Sequence, residues 1–153
     1  TDAAVRLAAI RSAPQFGPEP APELIALLES KNETVRLAVI AALEPMKTAT
    51  AREPLRRVLR EGSTAEKTAA IKTLAASADR ELVPDFIAVL SEVKDPNVIR
   101  AAMLALAVVP DVRAIPALLD ALATSDPART DAARKAFGKG PHHAAEGHHQ
   151  ATF

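Results

Sequence analysis

Apolar residues in this chain recur at three- and four-residue spacing, and the arrangement itself returns about every 31 residues. Five residues open the pattern, Asp2, Asn32, Ser63, Asp95 and Asp126, at successive offsets of 30, 31, 32 and 31 residues. Side-chain oxygens of these types accept hydrogen bonds from the free N–H groups of a helix's first turn, so each marks a helix start. Counted from the opening residue, the third step carries Val5, Val35, Glu66, Val98 and Arg129. The sixth carries Ala8, Ala38, Ala69, Ala101 and Ala132, and the seventh Ala9, Val39, Ala70, Ala102 and Ala133. With Leu43, Leu74, Leu106 and Phe137 at the eleventh, these form one apolar stripe of helical period, where a strand would alternate.

A second register lies between the first. Pro22, Pro54, Pro84 and Pro116 each fall 9 to 11 residues before the next opening residue. Proline is tolerated in a first turn because its missing N–H has no intrahelical partner there. Each therefore marks the start of another helix, with apolar runs such as Leu24–Leu28, Phe86–Leu90 and Leu118–Leu122 and a weaker, more basic copy at Leu55–Leu59. The repeat unit is a helical hairpin and the fold class all-α: about four antiparallel helix pairs stacked as a solenoid, plus a leading single helix over Ala3–Ile10.

The two ends of the array differ. At the eighth step Ile10, Ile40, Ile71 and Met103 give way to Arg134, and at the fifth Leu7 and Leu37 give way to Thr68, Arg100 and Asp131. Residues 127–137 accordingly read as a polar closing cap. The leading helix has the full apolar pattern of a second helix but no first helix before it, so its partner is expected upstream or on another molecule, and end-to-end self-association is a candidate contact. The absence of an initiating Met points the same way, to a piece of a longer or processed chain. Ala13–Pro20 is a Pro-rich loop, expected at the rim, and residues 138–153 a flexible, His-containing tail after the solenoid of 1–137.

The run Asn32-Glu33-Thr34-Val35-Arg36-Leu37-Ala38-Val39-Ile40-Ala41-Ala42-Leu43 resembles the second helix of a HEAT repeat, as does Asp2 to Ser12. The resemblance, to HEAT-like and bilin-lyase-type short repeats, covers about residues 1–137. It implies a right-handed α-α superhelix whose second helices line a concave face. It also implies a ladder between the opening Asp and the Arg four residues on. That pairing holds at Asp2/Arg6, is altered at Asn32/Arg36 and Ser63/Lys67, and is lost at Asp95/Ile99 and Asp126/Thr130.

Composition narrows the chemistry. Lys plus Arg and Asp plus Glu stand at 19 each, which removes the positive field of a dedicated nucleic-acid binder. With no Cys, thiolate metal sites, disulfides and Cys nucleophiles are excluded. Aromatics make up 3% of the chain, so the core must be aliphatic and small. No stretch approaches the roughly 20 apolar residues of a membrane span, and no leader peptide is evident. The compartment stays open, with the cytoplasm slightly favoured.

No catalytic apparatus is visible: the sequence has no Gly-x-Ser-x-Gly, phosphate loop or His-Glu-x-x-His. The di-iron hydroxylases among HEAT-like proteins carry repeated His-Glu pairs, and this chain has none; nor does it have the aromatics of a bilin site. All four histidines lie in the tail, His142, His143, His148 and His149, where a Zn²⁺, Ni²⁺ or Cu²⁺ ion is a candidate ligand and a solvated tail the commoner case. No cofactor is expected. What remains is recognition of a protein or peptide on the concave face, with Arg6, Arg36, Leu37, Lys67, Lys72, Ile99, Arg100 and Leu104 as contacts. A purely structural segment of a larger protein is the alternative. The lack of Trp and Tyr favours a modest or electrostatically steered interface.

Overall fold

The computed structural model describes residues 2–123, with side-chain environments to residue 120. The described residues form eight α-helices: α1 (Ala3–Ser12), α2 (Ala21–Ala26), α3 (Glu33–Met46), α4 (Arg52–Glu61), α5 (Thr64–Ala75), α6 (Val83–Glu92), α7 (Pro96–Val108) and α8 (Ile115–Ala123). Short 3₁₀ turns at Ala49–Ala51, Arg80–Leu82 and Val112–Ala114 lead into α4, α6 and α8. α2 with α3, α4 with α5 and α6 with α7 pack as hairpins, and α1, α3, α5 and α7 pack in series as one layer.

The helix starts fall where the polar residues place them. Carboxylate, amide or hydroxyl oxygens of Asp2, Asn32, Ser63 and Asp95 accept from backbone N–H groups of the turns they open. At Ser63 the bond is reciprocal, because Glu66 accepts from the Ser63 N–H while Ser63 Oγ accepts from the Glu66 N–H. Pro22, Pro84 and Pro116 take the second helical position and Pro54 the third, where no intrahelical bond is lost. Asp126, the expected cap over 127–137 and the tail of 138–153 lie outside the described residues.

The stripe at the third, seventh, eighth and eleventh steps is the core between the two layers. Val39, Ile40, Ala70, Ile71, Val98, Ala102 and Met103 are all fully buried, together with Val83 and Phe86 from α6. Truncating a ring as enclosed as that of Phe86 costs about 3–5 kcal/mol in typical cores. The sixth-step alanines differ from expectation: Ala38, Ala69 and Ala101 are half-exposed. They lie where successive second helices meet, on the side away from the first helices. A methyl group there lets the helices approach and leaves a groove above the contact.

α1 departs from its sister helices in burial. Val5 is 62% exposed, and Ala8 and Ala9 are also exposed, whereas Val35, Val39, Val98 and Ala102 at matching steps are buried. The reason is that no described helix pairs with α1 as α2, α4 and α6 pair with the others. The Ala13–Pro20 connection is more ordered than a bare loop: Ala13–Phe16 forms a 3₁₀ turn with Ala13 buried, and Gly17 reverses the chain at φ +79. A side chain there would be strained by backbone geometry alone.

Candidate protein-interaction surface

Two grooves run along the outer side of the second-helix layer. One, between α1 and α3, has Leu37, Ala38 and Ala41 on its floor and Arg11 and Pro14 at its edge. The other, between α5 and α7, is an open trough of about 750 Å³ floored by Ala65, Ala69 and Ala101, with Lys72, Arg100 and Leu104 around it. Leu104 is 38% exposed, although it lies on a helix whose other face is core. No acidic side chain lines either groove.

The structure sorts the sequence-derived contact residues into three groups. Lys72, Arg100 and Leu104 come together at the second groove, and Leu37 lies half-buried in the first. Arg6 is exposed on α1 and Lys67 half-buried on α5, outside both grooves. Ile99 is corrected: it is 1% exposed and belongs to the hydrophobic core, because the fourth step of α7 turns toward the neighbouring elements rather than outward.

Arg36 also occupies the fourth step, and its guanidinium is committed to the interior. Its Nε and Nη2 both approach Glu66 Oε1 at 2.6 Å, and its Nη1 donates to the Ser30 carbonyl at 2.6 Å. The Glu66 side chain is 6% exposed, a carboxylate standing at the step that holds valine in the neighbouring repeats. Arg36 therefore lines a separate cleft of about 540 Å³, bounded by Ile25, Leu28, Val58 and Glu66 between the hairpins. Most of the cleft's charged groups are paired: Arg36 meets Glu66, Arg57 meets Glu29 and Glu61, and Glu53 meets Arg56, while Arg60 has no ion pair among the described residues.

The ladder implied by the resemblance takes another form. Asp2, Asn32 and Asp95 use their side chains as helix caps, and the fourth-step cation that finds a carboxylate finds it in the next repeat, 30 residues on. Only Arg36 has such a partner, because the following repeat offers Glu66. Arg6 and Lys67 meet Val35 and Val98 at the corresponding steps and have no ion pair among the described residues.

A second ladder joins the turns that enter the first helices. Asp79 and Asp111 each cap a 3₁₀ turn through the backbone N–H two residues on. Arg52 of the preceding hairpin bonds Asp79 and also reaches Glu81, at 2.8 Å, while Arg56 donates to Asp85 at 3.0 Å. At the next turn Arg80 lies 3.6 Å from Asp111, and Arg113 bonds Asp111 at 2.8 Å. The Asp111 side chain is 4% exposed. Bonds from the Arg113 guanidinium and backbone N–H hold its carboxyl well below the usual carboxylate range, against the opposing pull of desolvation. Glu53, with Asp85 assisting, raises the Arg56 guanidinium above its ordinary value.

No helix among the described residues is long and apolar enough to cross a membrane, and no group of three or more His, Asp or Glu side chains there is placed to hold a metal ion. His142, His143, His148 and His149 lie outside the described residues. What the geometry defines is an array of stacked helical hairpins with two grooves, between α1 and α3 and between α5 and α7, on its second-helix layer.

The sequence profile of the family described as HEAT repeats matches residues 1–70 and 58–138. The chain belongs to the HEAT-repeat family. HEAT repeats are in general protein-interaction scaffolds and typically non-catalytic. Among curated proteins, none matches the chain.

Proposed function

We propose that this chain is a non-catalytic scaffold that binds a protein or peptide on the face formed by its second helices. The supporting observation is the pair of grooves between α1 and α3 and between α5 and α7, each presenting a leucine, Leu37 or Leu104, that the core does not need. A rigid surface with apolar floor and polar rim is what a docked segment requires, since the receptor side then loses little conformational freedom.

The test compares protein captured by the parent chain with that captured by Leu37→Glu/Leu104→Glu and by Arg60→Glu, a control on the exposed side of α4. A partner retained by the parent and the control but lost by the double variant is expected. Partners lost instead with Arg60→Glu, or unaffected by either change, would place binding elsewhere.

A second reading rests on α1, where Val5, Ala8 and Ala9, at helical spacing on one face, are covered by no described element. It offers a second copy of the chain an end-to-end contact. Sedimentation velocity across a concentration series should then show association that Val5→Glu abolishes; a monomer at all concentrations would remove this reading.

A further inference from the structure

We infer that the occupant of the second-helix face is an acidic peptide segment carrying aliphatic side chains, an assignment that rests on the scaffold reading above. The carrying observation is how the chain distributes its ion pairs. Arg52, Arg56 and Arg57 on α4, and Arg80 and Arg113 in the turns, meet carboxylates, leaving Arg60 as the α4 cation with no ion pair among the described residues. On the described second helices only Arg36 meets a carboxylate, and that pair belongs to the cleft between hairpins. Arg11, Lys72 and Arg100, which line the grooves, have no ion-pair partner among the described residues, and no carboxylate stands beside them in the groove walls.

The local excess of positive charge is not a consequence of composition, because the whole chain is neutral, with 19 cations and 19 anions. The acidic groups that pair with arginines stand mainly on the opposite layer and in its turns, as Glu29, Glu53, Asp79, Asp85 and Asp111 do, while Asp2 and Asp95 cap helix starts. A ligand bringing Asp or Glu to Lys72 and Arg100 supplies a counter-charge that no described residue provides. Between those cations the floor is methyl and isobutyl surface from Ala65, Ala69, Ala101 and Leu104, which solvates an aliphatic side chain better than a polar one. A nucleic acid fits less well, since neither groove contains an aromatic ring on which a base could stack.

The experiment pans a phage-displayed library of random peptides, about a dozen residues long, on the immobilised full chain. Selected sequences are resynthesised with a fluorescein label and titrated by anisotropy at low and high NaCl. Parent, Lys72→Glu/Arg100→Glu and Leu104→Glu chains are compared after circular dichroism has established that each is folded. Enrichment in Asp and Glu beside Leu, Ile or Val is expected, with affinity falling as salt rises. Affinity should also fall by about tenfold or more on the double charge reversal.

Uncharged or basic peptides that still lose binding to Leu104→Glu would overturn the acidic assignment while leaving the scaffold reading intact. Binders indifferent to every second-helix variant, or no binders at all, would overturn both. Displacement of an acidic peptide by oligothymidylate at matched charge would assign the cations to a phosphate polyanion and overturn the peptide class.

Discussion

Replacing Arg36 with Met should destabilise the fold by about 2–3 kcal/mol, an interval fixed by the burial of the two partners. Removing one member of a fully buried ion pair typically costs about 3–5 kcal/mol, while exposed pairs contribute about 0–1 kcal/mol. Here the carboxylate is 6% exposed and the guanidinium 26%, so the acid is the group stranded when the cation leaves. Met retains most of the alkyl stem that packs in the cleft, which confines the loss to the charge and its bonds. Glu66→Val restores the residue type found at this step in α3 and α7, and leaves the half-exposed Arg36 able to reach water. Its cost is the capping-box bond to the Ser63 N–H and the loss of one Arg36 partner, about 1–1.5 kcal/mol in all. The double variant should lie within about 1 kcal/mol of the parent, because a well-packed apolar pair substitutes for a buried ionic one. Urea unfolding monitored at the helical circular-dichroism band measures all four corners of the cycle, with unchanged slopes confirming that cooperativity is kept. Additive single effects, or a loss under about 0.5 kcal/mol for Arg36→Met, would refute the claim that the pair is buried and coupled.

Three further outcomes follow from the same packing. Asp111→Asn keeps a capping oxygen but removes the charge. The depressed Asp111 carboxyl contributes stability at neutral pH and loses it as pH falls through the ordinary carboxylate range toward its lower folded value. Denaturant midpoints should therefore drop less steeply for the variant than for the parent below about pH 4, and parallel acid limbs would count against the assignment. Ala70→Leu, at a fully buried seventh step, should cost about 1–3 kcal/mol by overpacking. Ala69→Leu, one residue earlier in the groove floor, should cost under about 1 kcal/mol yet weaken peptide binding; equal costs in thermal unfolding would erase the distinction between the two steps. Thr73 donates its buried hydroxyl to the Ile40 carbonyl of the preceding hairpin at 3.1 Å. Thr73→Val should lower stability by about 0.5–1.5 kcal/mol in the same assay, and a stabilised variant would deny that bond any net value.

Element boundaries were legible because they rest on local chemistry. Asp2, Asn32, Ser63 and Asp95 declare helix starts through a bond their own side chains make, and prolines mark the first turns of α2, α4, α6 and α8 independently of what packs nearby. The facing of individual steps was less legible, because a helix places successive residues 100° apart and the apolar stripe has soft edges. That is why the sixth-step alanines read as core yet floor the grooves, and why Ile99 reads as surface yet is buried. Long-range polar partners were the least visible. Glu66 at a valine step was a signal, since an acid interrupting a core column requires a cation, but nothing local says that the cation is Arg36. The Asp79 and Asp111 turns carry a similar signal, an Asp one or two residues before an Arg in successive repeats, which lies in the first-helix register rather than on the second helices.

The division of charge between the layers links stability to recognition. Repeats contact only their neighbours, so each junction must fix its own register, and along the first-helix side bonds between residues about 30 apart do this, from Arg56 to Asp85 and from Arg57 to Glu29. Partnered side chains are immobilised and neutralised, which makes that side a poor place for a ligand to find charge. The second helices are registered by bonds that lie outside the grooves, Arg36 to Glu66, Ser63 to Glu33 and Thr73 to the Ile40 carbonyl, while the groove floors themselves are close alanine contacts that consume no polar groups. The groove cations Arg11, Lys72 and Arg100 consequently have no ion-pair partner among the described residues, and no carboxylate lines either groove. A scaffold assembled this way can vary groove residues such as Lys72, Arg100 and Leu104 without disturbing the junctions, and can lose a junction pair without altering the groove. The Arg36/Glu66 cycle and the Lys72/Arg100 reversal should therefore separate cleanly, the first moving stability and the second moving affinity.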